Sequence, residues 1–381
     1  MAHRIYLDNN ATTELDPRVA AVMIQDIQEA LPANPSSVHF FGQQAKNKLT
    51  KARSILASHL KASPQEILFT SGGTESLNFL IRGFAASSKP THILSSSIEH
   101  SCIEKTLVSL QQDGCDVTFL PVTHEGNVSI KLIEQSITKN TKLLVFSAVN
   151  GETGVKQNIE ELAEVALRYN IPLIIDGVAL LGKEPFQIPK GVTGMAFSAH
   201  KFHGPKGVGF VFLRSHAKIP PLLTGGGQER GLRSGTENLT GILGLAKAIE
   251  ILQEELPLAT KRMEELRDYF EQELMQQLPL VQVNGSSKRI CNLSNLAFPN
   301  VDAETLLIQL DLYGIAASHG SACSSGALEP SRILTQMGYP PDRTKSSVRF
   351  SLSRNTTKEE LDRTIYLLTQ LIPQLSNPSN S

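Results

Sequence analysis

The chain has no tryptophan, and aromatic residues make up only 6% of it. Cysteine is scarce: four in 381 residues, at 102, 115, 291 and 323, with no C-x-x-C pair among them. So few, so far apart, they do not form a disulfide framework, and a reducing cytoplasm is the expected compartment. An excess of one charge is also missing. The 36 Lys+Arg and 37 Asp+Glu leave a net charge of −1, which argues against a direct nucleic-acid binder working through bulk electrostatics. Apolar runs such as Thr141–Val149 and Pro172–Val178 fall far short of the ~20 residues a membrane helix needs, so no membrane partner is expected. The opening MAHRIYLDNNATT has no apolar stretch behind its basic residues, and no secretory signal is expected. Tandem repeats, low-complexity tracts and long charge blocks are absent as well.

What is present is a steady supply of short apolar runs. Ile67–Thr70, Ile93–Ser97, Val117–Val122, Leu143–Val149, Leu173–Asp176, Gly194–Ser198 and Val208–Leu213 are rich in Val, Ile, Leu and Phe, as strands buried on both faces are. Helical patterns such as Ile159–Tyr169 lie between several of them. The alternation predicts an α/β domain built on a mostly parallel seven-stranded sheet. Beyond residue 238 the pattern changes to a long helix at Leu239–Gln277, strands at Val281–Val283 and Ile290–Phe298, a helix at Asp302–Leu312, a strand at Ser347–Ser353 and a last helix from Thr357. The expected division is a large domain, 14–255, and a smaller α+β domain formed by 1–13 and 256–381.

In a parallel sheet ligands sit beyond the carboxyl ends of the strands, and those ends carry reactive residues. Ser71-Gly72-Gly73-Thr74-Glu75 leads into a helix and offers backbone N–H groups to a phosphate, without the lysine and spacing of a nucleotide P-loop. Glu99-His100 follows the second run, and Asn150-Gly151-Glu152-Thr153-Gly154 the fourth. Asp176 ends the fifth and, if buried, needs a partner. Ser198-Ala199-His200-Lys201 ends the sixth, placing an amine where an imine could form. An amine, an anion, a ring and a phosphate seat on one edge match the needs of pyridoxal phosphate.

These residues resemble the cysteine desulfurases of the NifS/IscS type, within the class-V aminotransferase group of fold-type I pyridoxal-phosphate enzymes. The matching stretches, in order, are IYLDNNATT (5–13), NPSSVH (34–39), FTSGGTES (69–76), SIEHSC (97–102), VNGETGV (149–155), SAHKFHGPKGVG (198–209), GGGQERGLRSGTEN (225–238), GSACSSG (320–326) and VRFSLSR (348–354). The resemblance implies that Lys201, rather than nearby Lys206, carries the cofactor, that Asp176 pairs with its ring nitrogen, and that His100 stacks on the ring and assists proton transfer. It implies phosphate contacts from Gly73, Thr74, Ser198 and His200, joined by Thr236 from the second subunit of a homodimer. Asn150 would meet the cofactor's phenolic oxygen or the substrate. Arg349, with Asn34 nearby, would clamp a substrate carboxylate, Arg354 being the weaker candidate and otherwise a surface charge.

Cys323 would take the sulfur of L-cysteine as a persulfide, release L-alanine, and pass the sulfur to an acceptor protein, an iron–sulfur scaffold or a tRNA-thiolation carrier. Cys102, Cys115 and Cys291 read as small core residues; no metal site is expected. The same fold also serves selenocysteine lyases and aminotransferases, and a scaffold with reduced catalysis is a reading from another class. One departure stands out: Asp176-Gly177-Val178-Ala179 has Ala where the family pattern has Gln or His, removing a hydrogen-bond donor to the cofactor.

Overall fold

The computed structural model describes residues 4–86, 91–285, 288–320 and 330–376. The apolar runs form strands because both of their faces are covered. Among the described residues twelve strands follow in chain order: β1 (Ile5–Tyr6), β2 (Ile67–Thr70), β3 (His92–Ser96), β4 (Asp116–Leu120), β5 (Thr141–Ser147), β6 (Leu173–Asp176), β7 (Gly194–Ser198), β8 (Gly209–Leu213), β9 (Gln282–Val283), β10 (Leu293–Ala297), β11 (Ile315–Ala316) and β12 (Ser347–Ser351). The helices are α1 (Pro17–Glu29), α2 (Phe40–His59), α3 (Gly73–Ala86), α4 (Ser101–Gln112), α5 (Ile130–Ser136), α6 (Ile159–Tyr169), α7 (Leu239–Gln277), α8 (Ala303–Leu312), α9 (Arg332–Gln336), α10 (Pro341–Lys345) and α11 (Lys358–Ser376).

The seven-stranded sheet runs β2-β8-β7-β6-β5-β3-β4. Only β8 is antiparallel to its neighbours, so the carboxyl ends of the other six strands share one edge. Alternate residues go to opposite sides: Leu144, Phe146, Ile175 and Phe197 join one core, while Leu143, Val145, Ile174 and Ala196 join the other. Each such side chain contributes roughly 1.5–3 kcal/mol by leaving water.

Helix starts follow local chemistry. Asp16, Asn158, Asn238 and Asp302 each accept a backbone N–H at the start of a helix. The long helix α7 contains Pro257, which withholds one intrahelical donor. A second sheet, β12-β10-β9, is antiparallel. It packs in a separate apolar cluster with Phe270, Leu306, Phe350, Leu361 and the N-terminal Ile5 and Leu7. β1 pairs in parallel with β11, joining the first residues of the chain to this cluster. Among the described residues, no helix is long and apolar enough to cross a membrane.

Candidate active site

The turn after β7 presents Lys201, and the N-terminal segment lies across it. Lys201 Nζ donates to the carbonyls of Asn10 (2.6 Å) and Ala11 (3.0 Å). Beside it His200 Nδ1 meets Thr12 Oγ1 at 3.1 Å, and Thr13 N–H donates to His200 O at 2.9 Å. Burial, with the charges of Lys201 and Lys206, holds His200 down to about 4, so its ring is neutral. His203, at a positive φ of 66°, donates its N–H to Thr13 Oγ1 at 2.6 Å.

Asp176, at the end of β6, is 8% exposed. Its Oδ1 accepts from Val178 N–H at 2.9 Å. Burial pushes its carboxyl above the usual range, while His100 and Lys201 pull the other way. The strand leaves no room for a side chain at Gly177, where a Cβ would come within 2.5 Å of Met195 Cε and 2.6 Å of Phe197 Cε1. Ala179 packs, partly buried, against the apolar core.

His100 caps α4: its Nδ1 accepts the Cys102 N–H at 3.1 Å and lies 3.0 Å from Cys102 Sγ. Desolvation lowers the His100 pKa, opposed by Asp176 and assisted by Lys201. Cys102 is therefore more than core filling. Its thiol, pushed up by burial, is half-buried and touches the histidine. Cys115 is likewise half-buried, while Cys291 is buried as expected.

The glycine turn before α3 faces the same place. A Cβ at Gly73 would lie 2.9 Å from Val178 Cγ2 and 3.7 Å from Ser198 Cβ, which sets the helix start beside the Asp176 and Lys201 strands. Thr74 is exposed on the first turn and Ser198 is buried. Thr236 is exposed on a segment anchored by Arg233–Glu75 (2.8 Å) and by Glu229, which holds Arg53 (2.5 Å) and the Phe69 N–H (3.0 Å).

Arg349, in β12, is 4% exposed. Its Nη2 pairs with Asp8 Oδ1 (2.7 Å), its Nη1 donates to Gly151 O (3.0 Å), and its Nε is buried with no partner among the described residues. Asn150 is spent on local structure. Its Nδ2 donates to Ile98 O (2.9 Å), while Oδ1 accepts from the N–H groups of Glu152 and Thr153 (both 3.0 Å). Asn34 is exposed, its Oδ1 accepting from Ser36 N–H. No hydrogen bond among the described residues joins Asn34 or Thr236 to the Lys201 cluster.

Arg354 is no surface charge. Its side chain is 9% exposed and it pairs with Asp16 and with Glu255 (3.5 Å). Cys323 lies outside the described residues. On either side of that stretch, His319 Nδ1 meets Ser347 O at 2.6 Å, Ser331 Oγ bonds Glu152, and Arg332 binds the carbonyls of Ser97 and Glu99.

Sequence reasoning passed over the buried acids Glu99 and Glu152, both pushed up by desolvation. Glu99 stands between a buried strand and His100, and that position was the available signal.

This architecture, a mostly parallel sheet with a lysine turn and an aspartate on its carboxyl edge, is matched by the aminotransferase class-V family model over residues 5–364. The chain belongs to that family. It is 40% identical over 379 residues to a cysteine desulfurase IscS of Dictyoglomus turgidum, covering 98% of this chain and 96% of the relative. It is 39% identical to a cysteine desulfurase of Trichormus azollae, covering 97% and 93%. A solved NifS-like protein superposes with a TM-score of 0.92 at 36% identity, covering 98% of this chain and all of that one.

Proposed function

We propose that this protein is a pyridoxal-phosphate-dependent cysteine desulfurase that moves the sulfur of L-cysteine onto Cys323 and releases L-alanine. One observation carries the reading: an amine positioned by two carbonyls, Lys201, shares a sheet edge with a buried carboxylate that accepts a hydrogen bond from Val178 N–H and enters no ion pair among the described residues. A buried anion without a cation is costly, and a protonated pyridine nitrogen offsets that cost. The residues therefore fit the cofactor. Lys201 holds it by its amine, Asp176 faces its nitrogen, and its phosphate takes the N–H groups at the start of α3 with Gly73, Thr74, Ser198 and neutral His200. When bound, the cofactor supplies an electrophilic carbon for an amine and a ring that accepts electrons from the amino acid's Cα.

The chain's own residues do the rest. Arg349 receives the substrate carboxylate on the edge that carries its unpartnered Nε. Lys201 and His100 move the Cα proton, and His100 works through Nε2 because Nδ1 is engaged with the start of α4. Cys323, as thiolate, attacks the substrate sulfur. The S–S bond forms as the Cβ–S bond breaks and its electron pair passes to the substrate; a proton taken up at Cβ and the return of a proton to Cα complete L-alanine. An acceptor protein, an iron–sulfur scaffold or a tRNA-thiolation carrier, then takes the sulfur from the persulfide.

The reading includes a homodimer in which Thr236 reaches the partner's phosphate site. Exposed Ile27, Val38 and Phe40, at 64%, 91% and 68%, lie along the stretch around Asn34 and support a second copy covering that stretch. It also includes the division into residues 14–255 and 1–13 with 256–381, which the separate apolar cluster supports.

The test is incubation with L-cysteine, with and without reductant, measuring alanine and sulfide. Cys323→Ser should keep the bound cofactor's near-visible band and lose persulfide and alanine. Full activity in that variant overturns the assignment of Cys323, and a keto-acid requirement would make the enzyme an aminotransferase.

A further inference from the structure

Just beyond β3 lies a carboxyl that the reaction above does not use. Glu99 is 2% exposed. Its Oε1 accepts from Ser96 Oγ at 2.6 Å, and its Oε2 is hydrogen-bonded to Ser147 Oγ. Ser147 stands opposite Asp176 in the β5–β6 ladder, so the two acids are near neighbours behind one sheet edge. Neither enters an ion pair among the described residues.

The surrounding charges are distributed unevenly. His100 and Lys201 act on Asp176, and Lys201, Arg332 and Arg349 act on His100. Arg332, from α9, binds the main-chain carbonyls of Ser97 and Glu99 and the Glu104 carboxylate of α4. The raised Cys102 thiol is neutral. Among the described residues, the charge that bears most on Glu99 is Asp176.

Two neighbouring buried carboxyls do not ionise together: the first charge raises the pH at which the second forms. We propose that Glu99 holds the proton of this pair, leaving its single negative charge on Asp176, and so acts as a positioning residue for the ring nitrogen of the cofactor. The inference rests on the reading that Asp176 faces that nitrogen. The partners decide which acid keeps the proton. Asp176 is fixed by an N–H that can only donate and lies nearer the cations, both of which favour its anion. Glu99 meets serine hydroxyls, which can turn and accept a hydrogen bond from a carboxylic acid. Desolvation, increased by Asp176, pushes Glu99 up to about 7. Above that pH a second negative charge forms behind Asp176 and strengthens the hold on protons at the ring nitrogen and at His100.

The test has two readouts. In infrared spectra of the purified protein, wild type minus Glu99→Gln should show a protonated-carboxyl stretch at mildly acidic pH that fades as pH rises through about 7. Glu152→Gln marks the separate band of the other buried acid. In the holoenzyme, Glu99→Gln should keep the cofactor, since an amide retains both serine partners, and should remove one step from the pH titration of the near-visible band. No carboxyl band in the difference spectrum, or a titration superimposable on wild type, overturns the proposal. Should Glu99→Gln fail to fold, Ser147→Ala substitutes for it: the band must move to higher frequency, and an unmoved band refutes. Asp176→Asn tests the underlying reading separately. If it leaves the cofactor spectrum unchanged, the role of Asp176 fails while the infrared result on Glu99 stands.

Discussion

Arg349→Lys probes the proposed substrate site through one guanidinium with two partners and one unpartnered nitrogen. In the wild type Nη2 is bound to Asp8 at 2.7 Å, Nη1 to Gly151 O at 3.0 Å, and Nε is buried and unpartnered. Lysine can keep the ion pair with Asp8, because an ammonium has three donors, but it has no planar edge left for a second carboxylate. The loss is then a charge-assisted hydrogen bond to the substrate, worth about 1.5–3 kcal/mol. At ~1.4 kcal/mol per tenfold, the KM for L-cysteine should rise about 10- to 150-fold. The kcat should change little, because the carboxylate is held alike in the ground and transition states. The assay is alanine release against L-cysteine concentration. Cysteamine, which has the amine and the thiol but no carboxylate, serves as control, its binding read from the shift of the cofactor band. Its half-saturation should agree between wild type and variant within about twofold. If cysteamine weakens in step with cysteine, Arg349 supports the fold rather than the substrate, and the argument fails.

Three further outcomes follow from the geometry. Gly73→Ala puts a methyl 2.9 Å from Val178 Cγ2; overpacking of ~1–3 kcal/mol should weaken cofactor binding about 5- to 150-fold, and a second change, Val178→Ala, should restore it in a cofactor titration. Lys201→Ala should leave no cofactor covalently attached after borohydride reduction, whereas an adduct on Lys206 would move the imine there. Asp16 is held at about 2, below its ordinary 3.8, chiefly by hydrogen bonds from Arg18. A depressed carboxyl contributes stability above its unfolded pKa and loses it as pH falls, so this contribution is present at neutral pH and lost between about pH 4 and 2. Urea unfolding of Asp16→Asn should therefore fall below wild type at neutral pH, with the gap closing across that window.

The large sheet was legible because its strands are buried on both faces. Ile67–Thr70, Leu173–Asp176 and Gly194–Ser198 have the bounds read from the sequence, and so does Leu239–Gln277. Runs ending in mixed residues moved: Leu143–Val149 became Thr141–Ser147, because ladder pairing, rather than apolarity, ends a strand. The lysine turn and Asp176 were legible as polar residues closing apolar runs. Arg354 and Glu99 were not, since a charge in an unpaired sequence reads as solvated, and their burial depends on residues far away in the chain. Arg354 meets Asp16 across 338 positions, and Glu99 meets Ser147 across 48. No periodicity reports such a meeting.

The least legible element, the N-terminal segment, links the two halves of the proposed site. Within nine residues, Asp8 holds Arg349, Asn10 and Ala11 hold Lys201, Thr12 and Thr13 hold His200 and His203, and Asp16 holds Arg354. Its first turn is tied to β12 through Asn9 Nδ2 donating to Ser351 O at 2.9 Å and Asn10 N–H donating to Ser351 Oγ at 2.8 Å. The guanidinium proposed for the carboxylate and the amine proposed for the cofactor are thus set by one short strap rather than by separate scaffolds. Groups that share a strap do not respond independently. Asp8→Asn combined with Thr13→Val should therefore depart from the sum of the single effects in both L-cysteine KM and cofactor affinity, as measured by a double-mutant cycle. Strict additivity in both would mean that the strap transmits nothing between the two ends.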